Sequence, residues 1–157
     1  MNLNRQIQPS FIDKLIDESP ESDRESLNYF TWRDMKNSVR RDLENLLNAK
    51  VKWLTWPESL IELDKSILSY GLPDYSSMPL GSLDGKARLC ATVRETILKF
   101  EPRFIDVSVS IIEDERLLER TLKLRIQALL STRPEPEEIA FNSEIEPVSL
   151  GFTINES

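Results

Sequence analysis

Glu95, Glu101 and Cys90 are the side chains of this 157-residue chain whose types could carry out chemistry, and their neighbours decide what chemistry that is. Glycoside hydrolysis needs two carboxylates roughly 5–10 Å apart, one of them held protonated in an apolar pocket. Glu95 and Glu101 stand beside Lys99 and Arg103, cations that lower a carboxylate pKa and so oppose the acid role. Cys90 is the sole cysteine, which excludes an internal disulfide, and the chain has no histidine to activate it. The absence of histidine also removes Ser-His-Asp and Cys-His catalysis and every histidine-containing zinc site. The four glycines show no phosphate-cradling spacing. The expectation is a protein without catalytic residues, metal ligands or cofactor, with Cys90 an inert, buried thiol.

A second chemistry is recognition. Glu101, Pro102 and Arg103 put a carboxylate and a guanidinium on either side of a proline. Pro102 lacks a backbone N–H and disfavours the helical region for Glu101, so a helix stops near Phe100 and a strand begins at once. Two readings of this stiff corner follow. In one, Glu101 and Arg103 form a local ion pair, worth about 0–1 kcal/mol when exposed. In the other, the corner displays both groups to a protein partner, because Arg offers a planar fork of donors to a carboxylate. The readings part at Arg103→Ala. A docking corner keeps its fold and loses assembly, whereas a core device unfolds.

The flanking patterns define the elements that hold this corner. From Leu83 to Phe100 the apolar residues Leu83, Ala87, Cys90, Ala91, Ile97 and Leu98 recur at helical spacing, widened by Leu89, Val93 and Phe100, with Ser82 as N-cap. Asp84 with Arg88, and Glu95 with Lys99, are favourably oriented pairs four apart. Beyond the corner, Ile105, Val107, Val109 and Ile111 alternate with polar residues and predict a half-buried strand to about Ile112. A polar turn at Glu113-Asp114-Glu115-Arg116 and the alternation Leu122, Leu124, Ile126, Ala128 complete an antiparallel hairpin.

Upstream, Ser10 caps a short amphipathic helix from Phe11 to Ile16, and acidic, polar residues Asp17 to Ser26 read as a linker. Thr31-Trp32-Arg33-Asp34 resembles a capping box, with Asp where Glu is preferred, ahead of an apolar series Trp32, Met35, Val39, Leu43, Leu46 and Leu47. Arg40 and Glu44 lie four apart on its outer face. Trp53, Trp56 and Pro57 open a loop or short helix running to Tyr70, ended by Gly71-Leu72-Pro73-Asp74. Ser131 to Glu138 is a proline-containing loop, Ile139 and Phe141 suggest a very short strand, and Val148, Leu150, Phe152 and Ile154 alternate as a last one. The predicted class is α+β, with helices packed on one face of a small antiparallel sheet. Residues 1–30 form a flexible segment with a short helix and 31–157 a single domain. The last strand lies at a sheet edge, a template for strand addition or an edge shielded by acidic residues.

Charge narrows the partners. The net charge is −7, and residues 134–157 hold six glutamates and no Lys or Arg. An acidic end on a near-neutral body argues against nucleic acid or an anionic membrane and for a protein partner with basic edges. No apolar run reaches the length of a membrane span, and residues 1–6 lack the apolar core of a secretory signal, so a cytoplasmic location is expected.

Three stretches carry a family resemblance: Arg41-Asp42-Leu43-Glu44-Asn45-Leu46-Leu47-Asn48, Ser66-Ile67-Leu68-Ser69-Tyr70-Gly71-Leu72-Pro73-Asp74, and Phe100-Glu101-Pro102-Arg103. Together, across about residues 10–155, the chain resembles the TssE baseplate subunits of type VI secretion systems, a family shared with a wedge protein of contractile phage baseplates and formerly labelled lysozyme-like. The resemblance implies a structural role in a cytoplasmic baseplate docked at the inner membrane complex, beside TssF and TssG, helping to template the sheath of TssB and TssC. It implies that Glu101, Pro102 and Arg103 are partner-binding. The chain departs from the usual pattern at Ala49-Lys50 and at Phe104. A small adaptor or chaperone that holds a partner with its N-terminal segment is the alternative, and a lysozyme-like glycosidase a more distant one.

Overall fold

The structure, a computed structural model, describes residues 10–15, 30–51, 56–57, 59–112, 122–132, 135–145 and 151–156. The expected linker at 17–26, Trp53, the hairpin turn at 113–116, and Val148 and Leu150 lie outside the described residues. Helix α1 is Phe11–Leu15 and α2 is Trp32–Asn48. The capping box of α2 closes with its Asp: the Asp34 N–H donates to Thr31 Oγ1 at 3.2 Å, and the Thr31 N–H donates to Asp34 Oδ2 at 2.8 Å. Met35, Val39, Leu43, Leu46 and Leu47 form its buried stripe. Helix α3, Ile61–Asp64, and a 3₁₀ turn, Ile67–Ser69, occupy the stretch before Tyr70. Their apolar residues do not join the core, and Ile67 is 87% exposed.

Helix α4, Leu83–Phe100, starts where Ser82 Oγ accepts the Gly85 N–H at 3.0 Å. Its buried stripe is Leu89, Val93, Thr96 and Ile97, rotated from the expected face: Leu83 is 80% exposed, and Ala87 and Ala91 also face water. Apolar residues make up half of this helix, so spacing alone admits several faces, and the larger side chains of the Leu89–Val93–Ile97 row win the core. Cys90 flanks the stripe half-buried, and burial pushes its thiol pKa up. Arg88 pairs with Asp84 at 3.0 Å as expected, whereas Lys99 reaches Asp64 at 2.7 Å, tying α3 to the end of α4.

The sheet is an antiparallel meander in the order β1-β2-β3-β4, built from Phe104–Ile112, Leu122–Leu130, Glu137–Ile145 and Phe152–Glu156. The α+β class and the hairpin stand as read from the sequence. Two expectations change. An irregularity in register between Phe104 and Asp106 turns Phe104 inward and leaves Ile105 exposed, so Ile105 does not share the core face of Val107. The very short strand expected at Ile139–Phe141 is nine residues long, with Ile139, Phe141, Ser143 and Ile145 inward. Ser143 breaks the apolar alternation, which is what conceals the strand in the sequence. Helices α2 and α4 cover the inward face, closing one core around Leu43, Leu89, Ile126 and Phe141.

Ser143 is fully buried, and its hydroxyl has no hydrogen-bond partner among the described residues. An unpaired buried hydroxyl costs roughly 1–3 kcal/mol. Ser143→Ala is therefore expected to raise the free energy of unfolding by about 1 kcal/mol, read as a higher midpoint with an unchanged slope in urea.

Candidate assembly interface

Glu101 is the C-cap of α4, its N–H bonded to the Ile97 carbonyl at 2.8 Å, and the Phe104 N–H closes the turn onto the Glu101 carbonyl at 3.2 Å. Three residues thus carry the chain from helix to strand, as the proline requires. Glu101 is only 6% exposed. Arg103 folds back on it as a fork, Nε to Oε1 at 2.7 Å and Nη2 to Oε2 at 2.5 Å, while the Arg103 N–H donates to Oε1 at 3.2 Å. The two side chains pair with each other. Pro102 forms the exposed tip.

Arg103 then reaches α2. Nη2 bonds Asp42 Oδ2 at 2.7 Å and Nη1 bonds Ser38 Oγ at 3.3 Å. Four of the five guanidinium N–H donors are committed inside the fold, and one on Nη1 remains among the described contacts. Asp42 in turn accepts from Arg41 through Oδ1, at 3.2 Å from Nε and 3.1 Å from Nη2, and Arg41 Nη1 meets Asp13 Oδ1 on α1 at 2.9 Å. The Ser38 hydroxyl donates to Asp13 Oδ2 at 2.6 Å, which closes a ring of Asp13, Arg41, Asp42, Arg103 and Ser38 with Glu101 attached. Charges alternate around it.

Desolvation opposes ionisation at both ends of this ring and is outweighed. Burial would lower the Arg103 pKa, but Glu101 and then Asp42 raise it above the ordinary arginine value. Burial would raise Asp13, but hydrogen bonds from Ser38, Ser10 and Arg41 bring it from 3.8 down to about 2. Tyr70 stands nearby, its pKa raised by burial and by the Asp42 and Glu101 charges, with its ring edge-on to Phe100 at 5.3 Å.

The three sequence stretches that carry the resemblance therefore meet here. Asp42 and Arg41 come from the first, Tyr70 from the second, and Glu101 and Arg103 from the third. Gly71 fixes the second against the first: its φ is 114°, the Leu72 N–H donates to the Ala49 carbonyl at 2.8 Å, and an added Cβ would lie 2.3 Å from that oxygen. Sequence reasoning missed Ser38 and Asp13. Ser38 lies on the buried stripe of α2, and a serine among apolar positions is the available signal.

Both sheet edges also carry side chains. At β4, Asn48 clamps Phe152 with its amide, Nδ2 to the carbonyl and the Phe152 N–H to Oδ1, both at 2.9 Å. At β1, Arg94 Nε bonds the Val107 carbonyl at 2.7 Å, and Asp106 Oδ1 accepts the Val107 N–H at 2.9 Å. Each amide or guanidinium stands where a neighbouring strand would pair. Among the described residues no helix is long and apolar enough to cross a membrane, and no group of three or more acidic or cysteine side chains could hold a metal ion.

Fold and site together define a small α+β module whose charged residues are spent on holding its elements together. Residues 33–135 match the family model of the baseplate wedge protein gp25, and the chain belongs to that family. The matched stretch holds the corner and the hairpin; α1, β3 and β4 lie outside it. A chain in a solved structure described as "The baseplate complex from the type VI secretion system" is similar over 73% of this chain and 96% of its own, at 18% identity and a TM-score of 0.49. No curated protein sequence matches.

Removing one partner of a buried, hydrogen-bonded pair costs roughly 3–5 kcal/mol, and less where water reaches it. The Arg103 side chain keeps 20% of its exposure. Arg103→Ala is expected to destabilise the fold by about 2–3 kcal/mol, seen as a lowered urea midpoint, because it strands Glu101 beneath the tip. A second expectation concerns pH. The Asp13 pKa is depressed in the docked state, so its contribution is full above the free value of 3.8 and is lost as pH falls through about 2. The NMR shift of the Asp13 amide should report α1 undocking across that window.

Proposed function

We propose that this protein is a structural wedge subunit in the baseplate of a type VI secretion system, a contractile injection machine, and that it performs no catalysis and needs no cofactor. The family match over residues 33–135 carries this reading, because it spans all of the corner that joins α2, α4 and β1. In it the subunit sits beside TssF and TssG in a cytoplasmic baseplate docked at the inner membrane complex, and helps template the sheath formed by TssB and TssC. The corner of Glu101, Pro102 and Arg103 faces the wedge partners. Glu101 and Arg103 shape it from below, while Pro102 and the free Nη1–H of Arg103 are what a partner touches. The β4 edge, met by the Asn48 amide at Phe152 and by Arg40 Nη1 at the Ile154 carbonyl, 3.5 Å away, suits strand addition, which exchanges these side chains for a ladder of backbone hydrogen bonds.

Glu101 also bears on the glycosidase alternative. A general acid stands in an apolar pocket with its carboxyl turned to the substrate, whereas both Glu101 oxygens are occupied by the Arg103 fork at 2.5–2.7 Å. The adaptor alternative differs in where the partner binds, at the N-terminal segment rather than at the corner.

Co-purification with TssF and TssG tests the reading. Pro102→Glu adds charge at the exposed tip and leaves the ring intact, so the expected result is loss of the pair from a protein with unchanged melting temperature. Retention of the pair by the variant moves the interface away from the corner. Failure of the wild type to retain soluble TssF and TssG overturns the assignment.

A further inference from the structure

Asp13 does two jobs with one carboxylate. It completes a capping box within α1, where Oδ2 accepts the Ser10 N–H at 3.1 Å and the Ser10 hydroxyl at 2.7 Å, and the Asp13 N–H returns a bond to Ser10 Oγ at 3.2 Å. The same oxygen takes the Ser38 hydroxyl at 2.6 Å, and the other takes Arg41 Nη1 at 2.9 Å. Forming α1 and seating it on α2 are thus one event. Ile12 and Leu15, the apolar residues of α1 whose side chains are described, remain 54% and 68% exposed, so the polar contacts of Asp13 are what these residues leave to seat the helix. A five-residue helix is far below the length that is stable alone.

What stays behind if α1 leaves is balanced. Glu101 and Asp42 against Arg103 and Arg41 make a neutral cluster, so no buried charge is stranded, while the Ser38 hydroxyl and Arg41 Nη1 are left as two converging donors. Asp13, by contrast, brings an excess negative charge to the ring. The site is built for a carboxylate, and the carboxylate it holds is a removable one.

We propose that Ser38 and Arg41 form a docking site for a capped acidic turn of the form Ser-x-x-Asp, occupied in the free protein by residues 10–15 and open, once these leave, to a segment of the same chemistry on a partner protein. The seated occupant fixes the ligand class: a helix N-terminus with a hydroxyl at the cap, a carboxylate three residues on, and apolar residues flanking that carboxylate. Asp13 lies outside the family-matched stretch and Arg41 within it, so the receptor belongs to the family domain and the latch to this chain's own N-terminal region. The proposal needs only this chain and does not rest on the baseplate reading.

The test uses the full chain and a synthetic peptide of residues 8–17, followed by NMR shifts of the Ser38 and Arg41 backbone amides and Arg41 Nε–H at millimolar peptide. Asp13→Ala in the full chain empties the site and leaves the body folded, which unchanged backbone amide shifts across β1–β4 verify. The expected result is that this variant binds the peptide at least ten-fold tighter than the wild type does. A peptide carrying Asp13→Ala should not shift these signals, and Arg41→Gln added to the protein variant should abolish binding. Equal response of wild type and variant, or equal binding of the two peptides, overturns the proposal. As a second readout within the wild-type chain, trypsin cleavage after Lys14 should rise at least ten-fold in Asp13→Ala protein; an unchanged rate means that Asp13 does not hold the latch and the proposal fails.

Discussion

One guanidinium sets the geometry of this domain. Arg103 leaves the chain at the start of β1, grips the carboxylate that ends α4 and reaches across to Ser38 and Asp42 in the middle of α2. Backbone hydrogen bonds define each helix and strand but do not set the angle between α2 and α4. A planar fork does, because its donors point in fixed directions and a lysine's three rotatable ones do not. The apolar stripes of the two helices can then meet the same face of the sheet. Hydrophobic burial supplies most of the stabilisation, and the ring decides which of several similar packings it stabilises.

Such a corner reconciles its two readings. With four of five donors committed, Arg103 has little left for a partner, and yet the tip that it supports at Pro102 is exposed. The ion pair is local, as the plainer reading had it, but it is buried and shared with α2, so the magnitude proper to exposed pairs does not apply. What the pair does in the fold is to hold a surface in shape. Shape held by an interior network resists the deformation that docking forces impose, which suits a member of a baseplate wedge family.

Much of this was legible in the sequence. Proline at position 102 dictated the abrupt passage from helix to strand, the capping box announced α2, and period-two alternation announced β1 and β2. The misses share one cause. The face of α4, the reach of β3 through Ser143 and the outward turn of Ile105 each depend on what a residue packs against, and spacing along one element cannot supply that. At the site, Glu101 and Arg103 were visible because a proline framed them. Asp42 was visible only as part of a motif, and Ser38 and Asp13 not at all, since residues separated by 65 and 25 positions join only through the fold.

The edges of the sheet show the same economy as the corner. Among the described residues the four-stranded meander leaves two strands without a strand partner on one side, a liability for aggregation and an opportunity for assembly. Here each edge is met by a side chain from the helix packed beside it, Asn48 of α2 at β4 and Arg94 of α4 at β1. The two are not equivalent. Arg94 is also held by Asp106, 3.2 Å away, so opening β1 breaks an ion pair as well as a backbone bond. Asn48 is neutral, and an incoming strand that displaces it offers Phe152 the same amide donor and acceptor in return. The exchange at β4 is close to isoenergetic for the first pair of bonds, and at Ile154 an incoming strand displaces only the Arg40 Nη1 contact on the carbonyl, which at 3.5 Å is longer than the 2.7 Å bond of Arg94 at β1. If one edge of this sheet accepts a strand from outside, the chemistry of its own side chains selects β4.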